Sequence, residues 1–222
     1  MGKLIVIEGL DGSGKSTQLE LLPQNLKKSG IDSRSVSFPD YDSNSSALVK
    51  MYLGGEFGKK PGDVNAYAAS LFYAVDRFAS YQKDWKLDYE AGSVILADRY
   101  VTSNMIYQLS KVGAEEKDAF IRWVEDYEYG RLGLPEPTAT IYLDMKPEIS
   151  QELMKQRYEG DESKKDIHER DVAFLKECRE NALYSAEKAG WNVVCCYEND
   201  TPKTIEQIHE EVMAVVNRYL TK

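Results

Sequence analysis

Residues 9–17 (GLDGSGKST) constrain the fold of this chain more than any other stretch. They match the pattern G-x-x-x-x-G-K-[ST], and they lie between the apolar run 4–7 and the amphipathic stretch 16–28. Glycines at such a strand-to-helix turn point backbone N–H groups inward, and the helix adds the positive end of its dipole. A chance match is a weak alternative, because strand and helix lie where the pattern requires them. The stretch therefore predicts a loop that binds the phosphates of a nucleotide.

The residues of this loop have separate expected tasks. Lys15 should reach the β- and γ-phosphates, and the Ser16 hydroxyl should hold Mg²⁺. Asp11 does not fit a loop that binds anions, and it needs another explanation. The residues expected to bind ATP are Gly9, Gly12, Ser13, Gly14, Lys15, Ser16 and Thr17.

Short apolar, β-branched runs alternate with longer amphipathic stretches along the whole chain. The apolar runs are residues 4–7, 35–38, 94–97, 140–143 and 192–197. This alternation predicts an α/β fold: a parallel sheet of about five strands, buried on both sides, with right-handed crossovers and helices on both faces. At 222 residues we expect one domain over 1–222. Functional residues should cluster just after Ile7, Phe38 and Ala97, at the carboxyl ends of the strands.

Composition excludes several classes of protein. A net charge of −9 argues against general binding to nucleic acid or anionic membranes. The cysteines Cys178, Cys195 and Cys196 form no disulfide or CxxC pattern. The N-terminal residues carry no secretory signal, and no apolar run approaches the length of a membrane span. We therefore expect a cytoplasmic protein with reduced thiols.

The second and third strand ends carry candidate site residues. Asp98 directly follows an apolar strand, where a second acidic group would lie near Mg²⁺. Arg99 could grip a phosphate through two parallel hydrogen bonds, or it could form a surface salt bridge. Phe38 precedes Pro39, which stiffens the chain into either a binding edge or an ordinary strand-to-loop corner.

A helix and a charged segment add further candidates. Tyr73 and Arg77 are four residues apart, so they share a helix face on which a base could stack and form hydrogen bonds. The alternative is a core aromatic beside a solvated arginine. Residues 157–170 are densely charged, and their Arg157, Lys164, Lys165 and Arg170 suit a lid that supplies positive charge to a transition state. A plain solvated loop is the alternative.

In chain order the motifs are IEGLDGSGKSTQ, FPD, YAVDR, DRYVTSN and a charged segment containing HER, and with them the chain resembles the thymidylate kinases. The resemblance covers nearly the whole sequence, and DRYxxSN with an acid inside the phosphate loop is its most specific part. It implies a three-layer P-loop NTPase-type fold with a short lid. It also implies ATP and dTMP as substrates, Mg²⁺ as cofactor, dTDP as product and, commonly, a homodimer.

The resemblance also implies individual roles. Arg99 would hold the acceptor's 5′-phosphate, and Asp11 would contact its 3′-hydroxyl or a nearby metal ion. Tyr73 would stack on thymine, Arg77 would bond the base edge, and Tyr107 would crowd the 2′ position of the sugar. The implied acceptor-binding residues are Asp11, Phe38, Tyr73, Arg77, Arg99, Ser103, Asn104 and Tyr107. The implied metal residues are Ser16, Asp98 and Glu169.

Two positions depart from the pattern of the family. Gly12 stands where some members carry an arginine, which assigns the catalytic cation to the lid, and Tyr41 stands where many members place an arginine for the acceptor phosphate.

Three alternative functions stay open: a kinase of another nucleotide or nucleoside, a non-catalytic nucleotide-binding relative, and a GTP-dependent switch. The last is disfavoured because residues 198–202 (ENDTP) lack the lysine of an N-K-x-D motif.

Overall fold

The central element is a five-stranded parallel sheet in the order β2-β3-β1-β4-β5. The structure, a computed structural model, describes residues 1–157 and 172–220, with the backbone alone at 61 and 155–157. The strands are β1 (Lys3–Gly9), β2 (Ser33–Ser37), β3 (Val94–Asp98), β4 (Ala139–Asp144) and β5 (Asn192–Cys195). The predicted parallel sheet of about five strands is confirmed.

Helices connect the strands. They are α1 (Lys15–Lys28), α2 (Ala47–Leu53), α3 (Ala66–Ser80), α4 (Lys86–Glu90), α5 (Thr102–Tyr107), α6 (Lys117–Glu125), α7 (Pro147–Arg157), α8 (Val172–Ala189) and α9 (Ile205–Leu220). A π-helical turn, Tyr81–Trp85, joins α3 to α4, and a second one, Asp126–Arg131, follows α6. A 3₁₀ turn, Gln108–Lys111, continues α5. Within the described ranges, none of these helices combines the length and apolar character that a membrane span requires.

Side chains of β1 show that the sheet is covered on both faces. Successive side chains of a strand point to opposite sides. Leu4 and Val6 pack in one apolar cluster with residues such as Trp85. Ile5 and Ile7 pack in a second cluster, which includes Leu22 and Leu26 of α1 and Val212 and Val216 of α9. All four β1 side chains are fully buried, which agrees with the uninterrupted apolar run in the sequence.

The last strand is shorter than the sequence predicts. The apolar run 192–197 predicts a single strand, whereas β5 ends at Cys195 and Tyr197 belongs to a small antiparallel hairpin. The hairpin strands are β6 (Tyr197–Glu198) and β7 (Thr201–Pro202). Asn199 and Asp200 connect them with φ angles of 46° and 63°. Positive φ at both central residues is what a tight hairpin turn needs, and Asn and Asp tolerate it better than most residues.

Strand order places three strand ends side by side. Asp98 at the end of β3 is in register with Ile7 of β1 and with Ser37 of β2. Two further backbone hydrogen bonds continue these ladders, from Arg99 N to Ile7 O at 3.1 Å and from Phe38 N to Asp98 O at 3.0 Å. The segments that follow β1, β2 and β3 therefore meet at one edge of the sheet, as expected for the carboxyl ends of parallel strands.

Candidate active site

The phosphate loop turns from β1 into α1 through glycines that no other residue replaces easily. Gly12 and Gly14 have φ angles of 79° and 92°, in the left-handed region. A Cβ at Gly12 would lie 2.8 Å from the carbonyl oxygen of Ser150 and 3.0 Å from Cγ of Met154, both on α7. Helix α7 therefore packs directly on the loop, and position 12 has no room for an arginine side chain in this arrangement.

Lys15 is held inside the loop. Its Nζ donates hydrogen bonds to the carbonyl oxygens of Gly9 at 2.8 Å and Leu10 at 3.1 Å. The side chain is 8% exposed, and Oδ1 of Asp11 lies 3.7 Å from Nζ. Burial and the neighbouring charge of Arg99 lower the pKa of Lys15, while Asp11 and other nearby carboxylates counteract that shift. The loop thus keeps a desolvated lysine close to backbone oxygens and one acid.

The remaining loop residues line the entrance to α1. Ser16 is exposed in the first turn of α1, and Thr17 beside it is half-buried. Ser13 is buried, and its Oγ has no hydrogen-bond partner in the described part of the chain. A Cβ at Gly9 would lie 2.5 Å from that Oγ, so Gly9 makes room for the Ser13 hydroxyl.

Arg99 connects the phosphate loop to the neighbouring strand end. It has a φ angle of 63°, and it donates from Nη2 to Oδ1 of Asp11 at 2.5 Å and from Nη1 to the hydroxyl of Tyr107 at 2.9 Å. Its guanidinium also lies over the Tyr107 ring, 5.2 Å from the centroid. Burial disfavours the charged form, but Tyr107, Asp11 and other acidic neighbours raise the pKa of Arg99 well above its ordinary value. Arg99 therefore stays a fixed cation.

Asp98 offers an oxygen ligand beside the loop. Its Oδ1 is buried and has no hydrogen-bond partner among residues 1–157 and 172–220. A carboxylate such as this one and a hydroxyl such as that of Ser16 are both oxygen ligands of the kind that Mg²⁺ accepts. The described residues contain no cluster of three or more His, Cys, Asp or Glu side chains able to hold a metal ion. Oxygen ligands from a hydroxyl and a carboxylate suit Mg²⁺, which commonly keeps water and substrate phosphates as its other ligands.

A cavity of about 290 Å³ opens next to Asp11 and Arg99. Every residue that the sequence predicts to bind the acceptor lines it: Asp11, Phe38, Tyr73, Arg77, Arg99, Ser103, Asn104 and Tyr107. We call this cavity the acceptor pocket. The Phe38–Pro39 peptide bond on its rim is cis, and Tyr41, 52% exposed, also lines it. The strand-to-loop corner at Phe38 is thus part of the pocket wall.

Arg77 lies inside the protein rather than in solvent. It is 1% exposed, and it donates from Nε and Nη2 to both carboxylate oxygens of Glu128 at 2.7 and 2.6 Å. Its Nη1 donates to the Tyr100 carbonyl at 3.3 Å. Although burial opposes its charge, Glu128 raises the pKa of Arg77. The interpretation of a core aromatic beside a solvated arginine is wrong, because Arg77 is paired and buried while Tyr73 is only half-buried.

Glu8 is a residue of this site that the motifs did not single out. It is fully buried on β1 and accepts hydrogen bonds from the Tyr100 backbone N–H at 3.2 Å and the Thr102 hydroxyl at 2.7 Å. The Ser103 hydroxyl lies 2.9 Å from both of its oxygens. Burial raises the pKa of Glu8, against the opposing influence of Arg99 and the two hydroxyls. The available signal was an acid inside an otherwise apolar strand, LIVIEG.

Gln108 is the second residue that sequence reasoning missed. It is 2% exposed, lines the acceptor pocket and lies one helical turn after Asn104. Its Oε1 is buried without a hydrogen-bond partner in the described residues. A helical spacing of four from Asn104 was the signal that could have found it.

The lid residues cannot be placed. Lys164, Lys165, Glu169 and Arg170 lie outside the described residues, and so does the side chain of Arg157, whose backbone ends α7.

The fold and the site together define a class. A phosphate loop after the central strand of a parallel sheet, with helices on both faces, is an α/β fold of the P-loop NTPase type.

Comparison with known proteins narrows the class. The family model described as thymidylate kinase matches residues 7–212. A thymidylate kinase of Mycobacterium tuberculosis H37Rv is 31% identical over 191 residues, which cover 85% of this chain and 87% of the relative. One of Caenorhabditis elegans is 31% identical over 229 residues, with 94% and 96% covered. A solved structure of thymidylate kinase from Candida albicans aligns with a TM-score of 0.71 at 25% identity, covering 98% of this chain and 92% of that one. This chain belongs to the thymidylate kinase family.

Proposed function

We propose that this protein transfers the γ-phosphoryl group of ATP to the 5′-phosphate of dTMP, giving dTDP. One observation carries the proposal: Asp11 belongs to the phosphate loop and also lines the acceptor pocket, where it contacts Arg99 at 2.5 Å. ATP bound by the loop and dTMP bound in the pocket would therefore both lie next to Asp11. Phosphoryl transfer requires this proximity of donor and acceptor more than it requires a nucleophilic side chain.

On the donor side, the loop N–H groups, Lys15 and the start of α1 bind the ATP phosphates. Ser16 and Asp98 would hold Mg²⁺. Oδ1 of Asp98 has no hydrogen-bond partner within the described ranges, which supports this assignment. When bound, the ion neutralises charge on the β- and γ-phosphates. The family resemblance adds Glu169 as a metal residue.

On the acceptor side, Arg99 binds the 5′-phosphate. The two contacts with Asp11 and Tyr107 orient its guanidinium before the substrate arrives, which reduces the entropy lost on binding. Tyr73 stacks on thymine, Arg77 bonds its edge, and Asn104 and Ser103 complete the wall. The ring of Tyr107 lies beside Arg99, where it restricts space around the sugar.

The catalytic cation comes from the lid, which we place at residues 157–170 of a single domain spanning 1–222. Arg157, Lys164 and Lys165 are its candidates. The close packing of α7 on Gly12 supports this assignment, since a side chain at position 12 would collide with Ser150.

The rival function is that of a kinase for another deoxynucleoside monophosphate. The Candida albicans relative is described as having broad substrate specificity. In this chain the exposed Tyr41 occupies a place where the family pattern often has an arginine. A pocket with one phosphate ligand fewer depends more on its contacts with the base.

The decisive experiment measures turnover with ATP and Mg²⁺, offering dTMP, dUMP, dCMP and thymidine side by side. We expect the highest kcat/KM for dTMP. Lys15→Ala should lower kcat on the order of 10²–10³-fold, the usual effect of removing one preorganised electrostatic donor. Equal or better rates with another acceptor would replace dTMP, and tight nucleotide binding without turnover would identify a non-catalytic relative. A near-normal rate in Lys15→Ala would refute the mechanism.

We further propose a homodimer located in the cytoplasm. Helix α3 carries exposed apolar side chains at helical spacing, among them Tyr67, Val75 and Phe78, which suits an interface between copies of this chain. All three cysteines are free thiols, and burial raises the pKa of Cys196 to about 12. Unpaired thiols of this kind support a reducing compartment.

A further inference from the structure

Glu128 holds two of the side chains that line the acceptor pocket. It lies in the π-helical turn Asp126–Arg131, is 1% exposed, and does not itself line the pocket. Its carboxylate accepts two hydrogen bonds from Arg77 and a third from Nδ2 of Asn104 at 2.9 Å. A buried carboxylate with three N–H donors is well satisfied, and it restricts the orientation of each donor.

This contact fixes which end of the Asn104 amide faces the acceptor pocket. A carboxylate accepts hydrogen bonds and donates none, so the NH₂ group, not the oxygen, must face Glu128. The same Nδ2 also reaches the Ser70 carbonyl at 3.5 Å. No donor among the described residues reaches Oδ1 of Asn104. With Nδ2 turned to Glu128, Oδ1 is the end that remains for a base in the pocket.

The same carboxylate orients Arg77, which presents a hydrogen-bond donor to the pocket where Asn104 presents an acceptor. Two of its nitrogens point at Glu128, and among the described residues Nη1 has only the longer bond to Tyr100 O at 3.3 Å. Arg77 can only donate. One carboxylate thus arranges a donor and an acceptor on the same wall of the pocket.

We propose that Glu128 is a positioning residue that sets this donor–acceptor order and thereby selects thymine or uracil against cytosine. The inference rests on the proposed function, because it assigns a pyrimidine to the pocket. Thymine presents an acceptor at O4 and a donor at N3–H, which match Arg77 and Asn104. Cytosine presents a donor at the 4-amino group and an acceptor at N3. It would therefore place a donor against Arg77 and an acceptor against Oδ1 of Asn104. Each buried mismatch leaves polar groups unpaired and costs binding energy.

Gln108 cannot make the same distinction. Its Oε1 has no partner among the described residues, so nothing there prevents the amide from turning over to suit either base. The asparagine amide is held and the glutamine amide is not. Selection against cytosine therefore depends on the residue that holds Asn104.

The test compares kcat/KM for dTMP and dCMP in the variant Glu128→Gln. A glutamine at 128 cannot accept all three hydrogen bonds. With its NH₂ at the Oε1 position it opposes Nη2 of Arg77 and lets the Asn104 amide turn over, and with its NH₂ at the Oε2 position it opposes Nε of Arg77 and weakens the hold on the arginine. We expect the dTMP/dCMP ratio of kcat/KM to fall about 10-fold or more. Glu128→Asp keeps a carboxylate, so its dTMP/dCMP ratio should stay within about 3-fold of the wild-type ratio even if activity drops. Asp126→Asn, an exposed acid of the same turn, is the matched control.

Both substrates are measured on the same sample, so the ratio does not depend on how much of a variant is folded. An unchanged ratio in Glu128→Gln, with dTMP turnover intact in the wild type, would overturn the role of Glu128 and leave the proposed function standing. Absence of dTMP turnover in the wild type would instead refute the proposed function.

If Glu128→Gln is inactive on both substrates, NMR of the wild-type protein tests the proposal instead. In a ¹⁵N-labelled sample the Asn104 side-chain NH₂ protons should be protected from solvent exchange, and they should stay near their original shifts when dTMP binds. Large shifts with dTMP would mean that the NH₂ group faces the base, and the proposal would be wrong.

Discussion

At the scale of single residues, Asp11 explains how an acid can belong to a loop that binds phosphate. Its Oδ1 lies 2.5 Å from Nη2 of Arg99 and 3.7 Å from Nζ of Lys15. Two cations compensate one carboxylate, so the loop remains attractive to anions. The side chain is 28% exposed, which leaves it accessible to a molecule in the acceptor pocket. We infer that Asp11 serves the acceptor more than ATP.

Asp11→Ala should therefore raise KM for dTMP and lower kcat/KM about 10- to 100-fold, as expected for losing a hydrogen bond to a charged group. ATP affinity should stay within about 3-fold, because the loop N–H groups and Lys15 remain. Steady-state kinetics and ATP titration by calorimetry measure the two effects. Glu20→Ala, an exposed acid on α1, is the control. A loss confined to ATP affinity would contradict this account of the loop.

At the scale of elements, Lys111 braces one wall of the acceptor pocket. From the 3₁₀ turn after α5, its Nζ donates to the Tyr52 hydroxyl of α2 at 2.8 Å and to the Val64 carbonyl before α3 at 3.0 Å. The ring of Tyr52 packs edge-on against Tyr73, with centroids 6.4 Å apart. Three elements around Tyr73, for which we propose base stacking, are thus tied together. Burial lowers the pKa of Lys111 to about 8.

The lowered pKa predicts a specific dependence of stability on pH. The folded state releases the Lys111 proton near pH 8, whereas the unfolded chain keeps it until about 10.5. Between these values the unfolded state binds more protons, so the free energy of unfolding rises with pH. The difference in unfolding free energy between wild type and Lys111→Met should therefore grow in favour of the wild type from pH 7 to pH 10.

Urea denaturation at pH 7, 8.5 and 10 measures this difference, and only its change with pH is interpreted. Lys83→Met, which removes an exposed lysine, is the matched control. A difference that shrinks as the pH rises would show that Lys111 is not buried as a cation.

At the scale of the whole molecule, the exposed apolar side chains of α3 are the main candidate for an interface. Tyr67, Val75 and Phe78 are 43%, 49% and 37% exposed, and with the half-buried Leu71 they form a stripe at spacings of four, four and three. Such spacing places side chains on one face of a helix. A contiguous apolar surface of this kind is typical of protein–protein contacts.

Val75→Asp should convert a homodimer into monomers, because it places a charge in the middle of the stripe. Light scattering after size-exclusion chromatography at about 10 μM gives the mass directly. Ile205→Asp, at an exposed apolar position of α9, is the control and should keep the wild-type mass. A monomeric wild type, or a dimer unaffected by Val75→Asp, would exclude this interface.

The sequence by itself determined the class of fold and most of the residues of the candidate site. Apolar runs of strand length and a glycine pattern act locally, through backbone sterics and burial, so they can be recognised without neighbours. Resemblance to the thymidylate kinases followed from the same local motifs and was confirmed. Lys15, Asp11, Arg99 and Tyr73 were all identified in this way, and the structure brings them to one edge of the sheet.

Only the tertiary structure decided how these residues pair. The Asp11–Arg99 contact spans 88 positions of sequence and the Arg77–Glu128 pair spans 51, so no local pattern encodes either. The burial of Arg77, which sequence reasoning left open, depends on a carboxylate from a distant turn. Glu8 and Gln108 became visible as site residues only once their neighbours were known. Packing between elements sets these contacts, and packing is a property of the folded chain rather than of any segment.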